Sequence, residues 1–98
     1  MTLTSQTTSF EHTLEIATYH AAEVFTMQIG ERRTFGLAFK ALFVRLEVEC
    51  VKSPLRAGRS FVINGQECGN EHGARAAVAR AYAPVLHATA RACELKAA

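Results

Sequence analysis

The last quarter of the chain, residues 74–98, constrains the fold more than any other segment. Eleven of the seventeen alanines lie in it, and alanine is the residue that most favours a helix. Larger side chains and one more alanine recur on a single face at helical spacing, as Val78, Tyr82, Val85, Thr89 and Ala92. An alanine-coated helix buries little area of its own, so its stability has to come from packing against another layer.

Two residues indicate where this helix begins and where its hydrogen bonding is interrupted. Asn70 is a suitable N-cap, because its side-chain oxygen accepts from a free N–H of the first turn. Pro84 lies inside the pattern, where it removes one hydrogen bond and crowds the carbonyl of Arg80. A proline costs about 3 kcal/mol inside a regular helix. We therefore expect a kink or a break near residues 80–84.

A first helix is predicted over residues 9–29. Thr8 and Glu11 have the T-x-x-E spacing of a capping box, and Gly30 stands where a left-handed C-terminal cap is expected. The apolar stripe between them consists of Phe10, Leu14, Ala17, Ala21, Val24 and Gln28. Residues 1–8 show no pattern, which predicts a flexible leader.

Residues 42–51 alternate with period two, which predicts a strand with one buried face. The buried face consists of Leu42, Val44, Leu46, Val48 and Cys50. A helix from Phe35 is the alternative, because Phe35, Phe39, Leu42 and Leu46 also fit helical spacing. Residues 33–40 fit either an extended partner strand or a short helical turn.

The remaining signals complete an α+β fold in one domain spanning residues 1–98. Pro54 ends the strand, and Asn64-Gly65 within residues 61–68 is a strong hairpin signal. We expect a small antiparallel sheet of two to four strands, packed against the N-terminal helix and a long kinked alanine-rich C-terminal helix. An all-helical fold is the alternative if residues 34–51 are helical.

Charge is unevenly distributed. The first 31 residues contain four glutamates and no lysine or arginine, whereas residues 32–59 contain seven of the eleven basic residues. Arginine suits the recognition of phosphate and carboxylate, and the predicted partner- or nucleic-acid-binding residues are Arg56, Arg59, Arg75, Arg80 and Arg91. An acidic interaction face is predicted on the first helix, formed by Glu11, Glu15 and Glu23.

No catalytic residue, cofactor or metal site is predicted. Cys68 and His72 have a C-x3-H spacing, but zinc needs further ligands, which Cys50 or His20 would have to supply. As a nucleophile and its base, the pair would need an orienting third group. A buried cysteine beside a helix-start histidine is the simpler interpretation, and His12 and His20 are predicted at the surface or its boundary.

Residues 61–88 resemble the second half of a double-stranded-RNA-binding domain. In that family a hairpin leads through a glycine-rich turn into an alanine-rich helix. The resemblance implies RNA binding through a basic cluster at the start of the helix. That cluster corresponds to residues 70–74, where this chain reads NEHGA, so the phosphate contacts that the resemblance implies are missing.

These features predict a non-enzymatic interaction protein. It is expected to act as a modulator or inhibitor of prokaryotic or phage type that binds a larger assembly, for example one that processes nucleic acid. A nucleic-acid-binding module is the alternative, and a homodimer through the C-terminal helix is compatible with both. Three dispersed cysteines suggest free thiols in a reducing cytoplasm. No apolar run approaches the roughly 18 residues of a membrane span, so no membrane partner is predicted.

Overall fold

The computed structural model describes residues 2–54 and 58–97, with the side chains of residues 4–54 and 58–92. It confirms the α+β class. The elements in chain order are β1 (Thr2–Gln6), α1 (Phe10–Val24), β2 (Arg32–Phe39), β3 (Leu42–Lys52), β4 (Arg59–Ile63), β5 (Gln66–Glu67) and α2 (Glu71–Ala97).

The five strands form one mixed sheet in the order β1-β2-β3-β4-β5. β1 runs parallel to β2, and the other neighbouring pairs are antiparallel. The predicted sheet of two to four antiparallel strands is therefore wrong in its strand number and at one edge. Residues 2–6, which were predicted to belong to a flexible leader, form that edge. Their order comes from backbone bonding to β2, which extends to the Thr7 N–H bonded to the Ala38 carbonyl at 2.9 Å.

Both helices cover the same face of the sheet and enclose one core. The sheet contributes the buried side chains of Phe35, Leu37, Phe39, Leu46, Val48, Cys50, Phe61 and Ile63. The helical layer contributes Ile16, Val24, Met27, Ala74, Val78, Tyr82 and Val85, of which Met27 follows the end of α1. The opposite face of the sheet has no helix over it among the described elements.

α2 is one continuous helix from Glu71 to Ala97 with Pro84 inside it, so the predicted break is wrong, while a bend there stays a prediction. Pro84 and Arg80 are exposed, so water can solvate the carbonyl that the proline leaves without its N–H partner. The predicted buried face is confirmed for Val78, Tyr82, Val85 and Thr89. Asn70 is the N-cap, because its Oδ1 accepts from the Gly73 N–H at 2.7 Å.

α1 differs from its prediction at both ends. Its N-cap is Ser9, whose hydroxyl accepts from the His12 N–H at 3.1 Å, and the helix ends at Val24 rather than at residue 29. The chain leaves the helix early because Met27 turns into the core. The buried face consists of Thr13, Ile16, His20 and Val24, whereas Leu14 of the predicted stripe is 43% exposed.

The two hairpins agree with the sequence patterns. β3 is confirmed as a strand, residues 33–40 lie in its partner strand and the connecting turn, and the helical alternative is wrong. The Asn64-Gly65 turn is also confirmed, with φ of +50° and +82°. The Asn64 side chain ends the β3–β4 ladder, because it accepts from the Glu47 N–H at 2.8 Å and donates to the Arg45 carbonyl at 3.3 Å.

Replacing Gly73 by alanine tests how the chain enters α2. An added Cβ would lie 2.3 Å from the Cys68 carbonyl oxygen, so the turn has to move. We expect Gly73→Ala to lower the free energy of unfolding by about 1–3 kcal/mol, the usual cost of overpacking. Urea denaturation measures it. An Ala79→Gly control at an exposed helical position reports the ordinary preference for alanine, about 1 kcal/mol, and a stabilised Gly73→Ala would contradict the prediction.

Candidate functional site

The predicted set of arginines does not form one surface. The Arg59 guanidinium donates to the carbonyls of Phe25 (3.0 Å) and Met27, and it lies 3.8 Å from the Glu71 carboxylate. It therefore fixes the chain after α1 to the edge of the sheet. Arg56 lies outside the described residues.

The other three predicted arginines lie on α2 and are exposed. Arg75 lies over the Phe25 ring, 4.7 Å from its centroid, in a cation–π contact. Arg80 and Arg91 lie on the opposite flank of the helix, and Arg91 lines a shallow cleft with Pro84, His87 and Ala88. Among the described residues neither Arg80 nor Arg91 has an ion-pair partner.

The predicted acidic face is smaller than expected. Glu11 and Glu15 are exposed on the outer side of α1. Glu23 is half-buried, and its carboxylate lies 3.5 Å from the Arg33 guanidinium. Arg33 also donates to the Glu23 carbonyl at 3.0 Å and to the Thr26 hydroxyl at 2.7 Å. Glu23 is therefore part of the contact that joins α1 to β2.

Cys68 and His72 do not make a chemical site with each other. The Cys68 thiol lies 3.4 Å from the Gln66 carbonyl, and His72 is exposed in the first turn of α2. Cys50 is buried elsewhere in the core, which raises the pKa of its thiol. Among the side chains that the structure describes, those of residues 4–54 and 58–92, no group of three His, Cys, Asp or Glu is arranged to hold a metal ion.

His20 forms a buried polar contact that sequence reasoning missed. The side chain has no exposed surface, although a position at the surface or its boundary was predicted. Its Nδ1 lies 2.7 Å from the Tyr82 hydroxyl, its Nε2 lies 3.4 Å from the Ser5 hydroxyl, and its ring centroid is 5.3 Å from that of Phe35. One side chain of α1 thus contacts β1, β2 and α2. The sequence signal that could have predicted its burial was its four-residue spacing from Ile16 and from Val24, which lie on the buried face of α1.

The hydrogen bonds assign the tautomer of His20. The buried Tyr82 hydroxyl has no other hydrogen-bond partner among the described side chains, so its proton has to point at Nδ1. Nε2 then carries the ring proton and donates toward Ser5. A histidine that donates to a serine cannot remove its proton, so this Ser–His pair is not an activated nucleophile. Burial also lowers the pKa of His20 and keeps the ring neutral.

The uncovered face of the sheet presents one aromatic side chain. Phe43 is 53% exposed, and its ring lies against Gly36, where an added Cβ would be 3.0 Å from two ring atoms. Ion pairs lie around it, Arg45 with Glu47 at 3.1 Å and Arg32 with Glu49 at 3.5 Å. We call this surface, defined by Phe43, Arg32, Arg45, Glu47, Glu49 and Val62, the open sheet face.

The helical layer presents a different kind of surface. An apolar groove of about 320 Å³ runs between α1 and α2. Its lining includes Leu14, Ala17, Ala21, Val78, Ala79 and Leu86. We call it the helical groove. Arg75 is the charged residue among those that line it.

Among the described residues, the open sheet face and the helical groove are candidate binding surfaces. We compared the chain with protein-family models, with curated proteins and with solved structures, and none of them matches it. Within the part of the chain that the structure describes, no helix has both the length and the apolarity needed to span a membrane. A functional assignment therefore has to come from the geometry of these surfaces.

Replacing Tyr82 by phenylalanine removes the donor to His20 and leaves its Nδ1 buried without a partner. We expect Tyr82→Phe to lower the free energy of unfolding by about 1–3 kcal/mol, the cost of an unsatisfied buried acceptor. Tyr19→Phe is the matched control, because Tyr19 is 55% exposed. Equal effects of the two variants in urea denaturation would contradict the network.

The buried neutral His20 predicts a pH dependence of stability. Its pKa is lowered from the ordinary 6.5 in the folded state, so the unfolded chain binds the proton more tightly. This part of the stability is complete above pH 6.5 and decreases as the pH falls toward the folded-state pKa, with a slope of at most about 1.4 kcal/mol per pH unit. Urea denaturation between about pH 5 and 8 measures it. His20→Gln should flatten the profile, whereas His12→Gln, at an exposed position, should not; identical profiles would contradict the assignment.

Proposed function

We propose that this chain is a non-enzymatic interaction protein that binds a protein partner through the open sheet face. The observation that carries the proposal is Phe43, an aromatic side chain with 53% of its surface exposed on a face that no described helix covers. Aromatic side chains supply much of the binding energy in protein interfaces, because they bury a large area for few rotatable bonds.

The position of Phe43 supports this role. Its ring lies on Gly36, whose missing Cβ leaves room for it, with the Thr4 hydroxyl beside the same position. Packing against the sheet restricts the ring before a partner arrives, so little conformational entropy is lost on binding.

The charges of the open sheet face favour protein over nucleic acid. Arg45 is paired with Glu47 and Arg32 with Glu49, so the face has as many carboxylates as guanidinium groups. Nucleic-acid binding depends on an excess of positive charge that displaces counterions from phosphates. A balanced polar rim around an aromatic centre is typical of protein interfaces instead.

The biological role of this interaction is also a proposal. We propose a modulator or inhibitor of prokaryotic or phage type, acting in the cytoplasm on a larger assembly. The non-enzymatic part of this role is supported by the tautomer of His20, which gives Ser5 no base. Glu11 and Glu15, exposed on α1, could imitate phosphates if the target binds nucleic acid.

Nucleic-acid binding is the second candidate, and Arg80 and Arg91 support it. Both are exposed and lack an ion-pair partner among the described residues. The engagement of Arg59 with backbone carbonyls weakens this candidate, because it removes one of the predicted phosphate contacts. Gel shifts with RNA and DNA at low salt test it, since phosphate contacts are strongest there.

Replacing Phe43 by alanine tests the proposed function. Tagged wild-type chain and the variant are used to capture partners from a lysate of the source cells, with and without nuclease, and the captured protein is titrated against both. We expect Phe43→Ala to weaken binding about 30-fold, as for an aromatic at the centre of an interface. Nuclease treatment should leave capture unchanged.

Tyr19→Ala is the matched control, because Tyr19 is equally exposed at 55% but lies on α1. Circular dichroism confirms that both variants fold. The proposal is wrong if both variants bind like the wild type, or if nuclease abolishes capture.

A further inference from the structure

The helical groove lies in the layer opposite the open sheet face, and nothing in the proposed function uses it. We infer that a second copy of this chain docks there, so that two protomers form a twofold dimer with their α2 helices side by side and parallel. The inference rests on two features of the helical layer: the apolar groove and the positions of the charges on either side of it.

The groove offers apolar area to a second helix. Leu14 is 43% exposed at its mouth, and Ala17, Ala21 and Val78 are partly or fully buried within it. The outer side of α2 carries Ala83 and Ala90, and Ala79 lies where this side borders the groove. Because alanine projects only a methyl group, the backbone of α2 can approach closely and enter the groove of another protomer.

Charges of opposite sign lie on the two outer flanks of the helical layer. Glu11 and Glu15 are exposed on the outer side of α1. On α2, the positions that line the groove include Ala79 and Leu86, and Arg91 and His87 lie on the flank away from it. These acids and bases therefore lie too far apart to pair within one protomer, and no ion pair joins them among the described residues.

The contact between His20 and Tyr82 fixes the heights of these charges. The two helices are antiparallel, since Phe25 lies near Arg75 and His20 near Tyr82. Glu11 is nine residues before His20, and Arg91 is nine residues after Tyr82. At about 1.5 Å per residue, both side chains lie about 13.5 Å from the His20–Tyr82 contact on the same side. Glu15 and His87 are likewise each five residues away.

A twofold axis parallel to the helices brings these charges together. If the outer side of α2 enters the partner's helical groove, the same rotation puts α1 of each protomer over the outer flank of the other protomer's α2. Height is preserved by this rotation, so Glu11 faces the partner's Arg91 and Glu15 faces the partner's His87. Every contact occurs twice, which is the self-complementarity that an isologous dimer requires.

Arg80 provides an internal control. It lies on the same flank of α2 and is exposed, but its height corresponds to Ala22 on α1, where there is no acid. A general preference for positive charge on this flank would involve Arg80 and Arg91 equally. The twofold arrangement involves Arg91 alone.

Charge-reversal variants test the dimer, and sedimentation equilibrium over a range of concentrations measures their self-association. We expect Arg91→Glu and Glu11→Arg each to weaken self-association at least about tenfold, because one substitution changes two symmetry-related contacts. Arg80→Glu should leave the dissociation constant unchanged within about twofold. An equimolar mixture of the Arg91→Glu and Glu11→Arg variants should form a heterodimer, because each protomer then meets a residue of opposite charge.

The apolar centre is tested separately. Leu14→Asp should abolish self-association, whereas Ile29→Asp, at a 54% exposed position outside the groove, should not. The inference is overturned if the wild type is a monomer at every concentration, if Arg80→Glu weakens association as much as Arg91→Glu, or if the mixed variants fail to associate. These readouts do not involve Phe43, so their failure leaves the proposed function standing, and the converse also holds.

Discussion

The hydrogen bond between His20 and Tyr82 is the interaction on which the rest of this structure depends. It joins α1 to α2 at 2.7 Å in the interior, and the same imidazole reaches β1 through Ser5 and lies against Phe35 of β2. Apolar side chains alone determine poorly where an alanine-rich helix lies along its own axis. Its small methyl groups pack almost equally well after the helix has slid along that axis. A directional bond between two buried groups has one satisfied geometry.

This bond determines where the two candidate surfaces of the domain lie. It holds both helices against one face of the sheet, which leaves the other face to Phe43 and its paired charges. It also fixes the height of Glu11 relative to Arg91 on the outer side of the helical layer. The tautomer that it imposes removes the base that Ser5 would need for catalysis. The proposed partner surface and the inferred dimer surface therefore lie on opposite sides of one core.

The sequence predicted those elements whose order is local. The buried face of α2 and most of the alternation in β3 were predicted correctly, because a repeating apolar pattern reflects one covered face. Leu42, which was predicted on the buried face of β3, is instead 37% exposed at the hairpin end of the strand. β1 was missed, because a polar parallel edge strand is ordered by the backbone of its neighbour. The end of α1 was missed, because the burial of Met27 and the reach of Arg59 across 32 or more residues are tertiary contacts.

The candidate surfaces were less predictable than the fold. Exposure of Phe43 depends on where the helices pack, and the alternation within β3 only showed that it faces away from Leu42 and Val44. Arg59 is a charged residue in a loop-like segment, yet its acceptors are carbonyls distant in the chain. The spacing of His20 from Ile16 and Val24 indicated that it lies on the buried face of α1. A polar residue at such a position can be identified as buried only when its hydrogen-bond partner, Tyr82, is known.

Nitrogen-15 NMR of the histidine side chains tests the central interaction most directly. The His20 ring is predicted to be neutral at pH near neutrality, with its proton on Nε2 and with Nδ1 accepting from the Tyr82 hydroxyl. A His20 ring protonated on Nδ1, or one that carries protons on both nitrogens at neutral pH, would contradict the account. Either result would remove the bond that fixes α1 against α2.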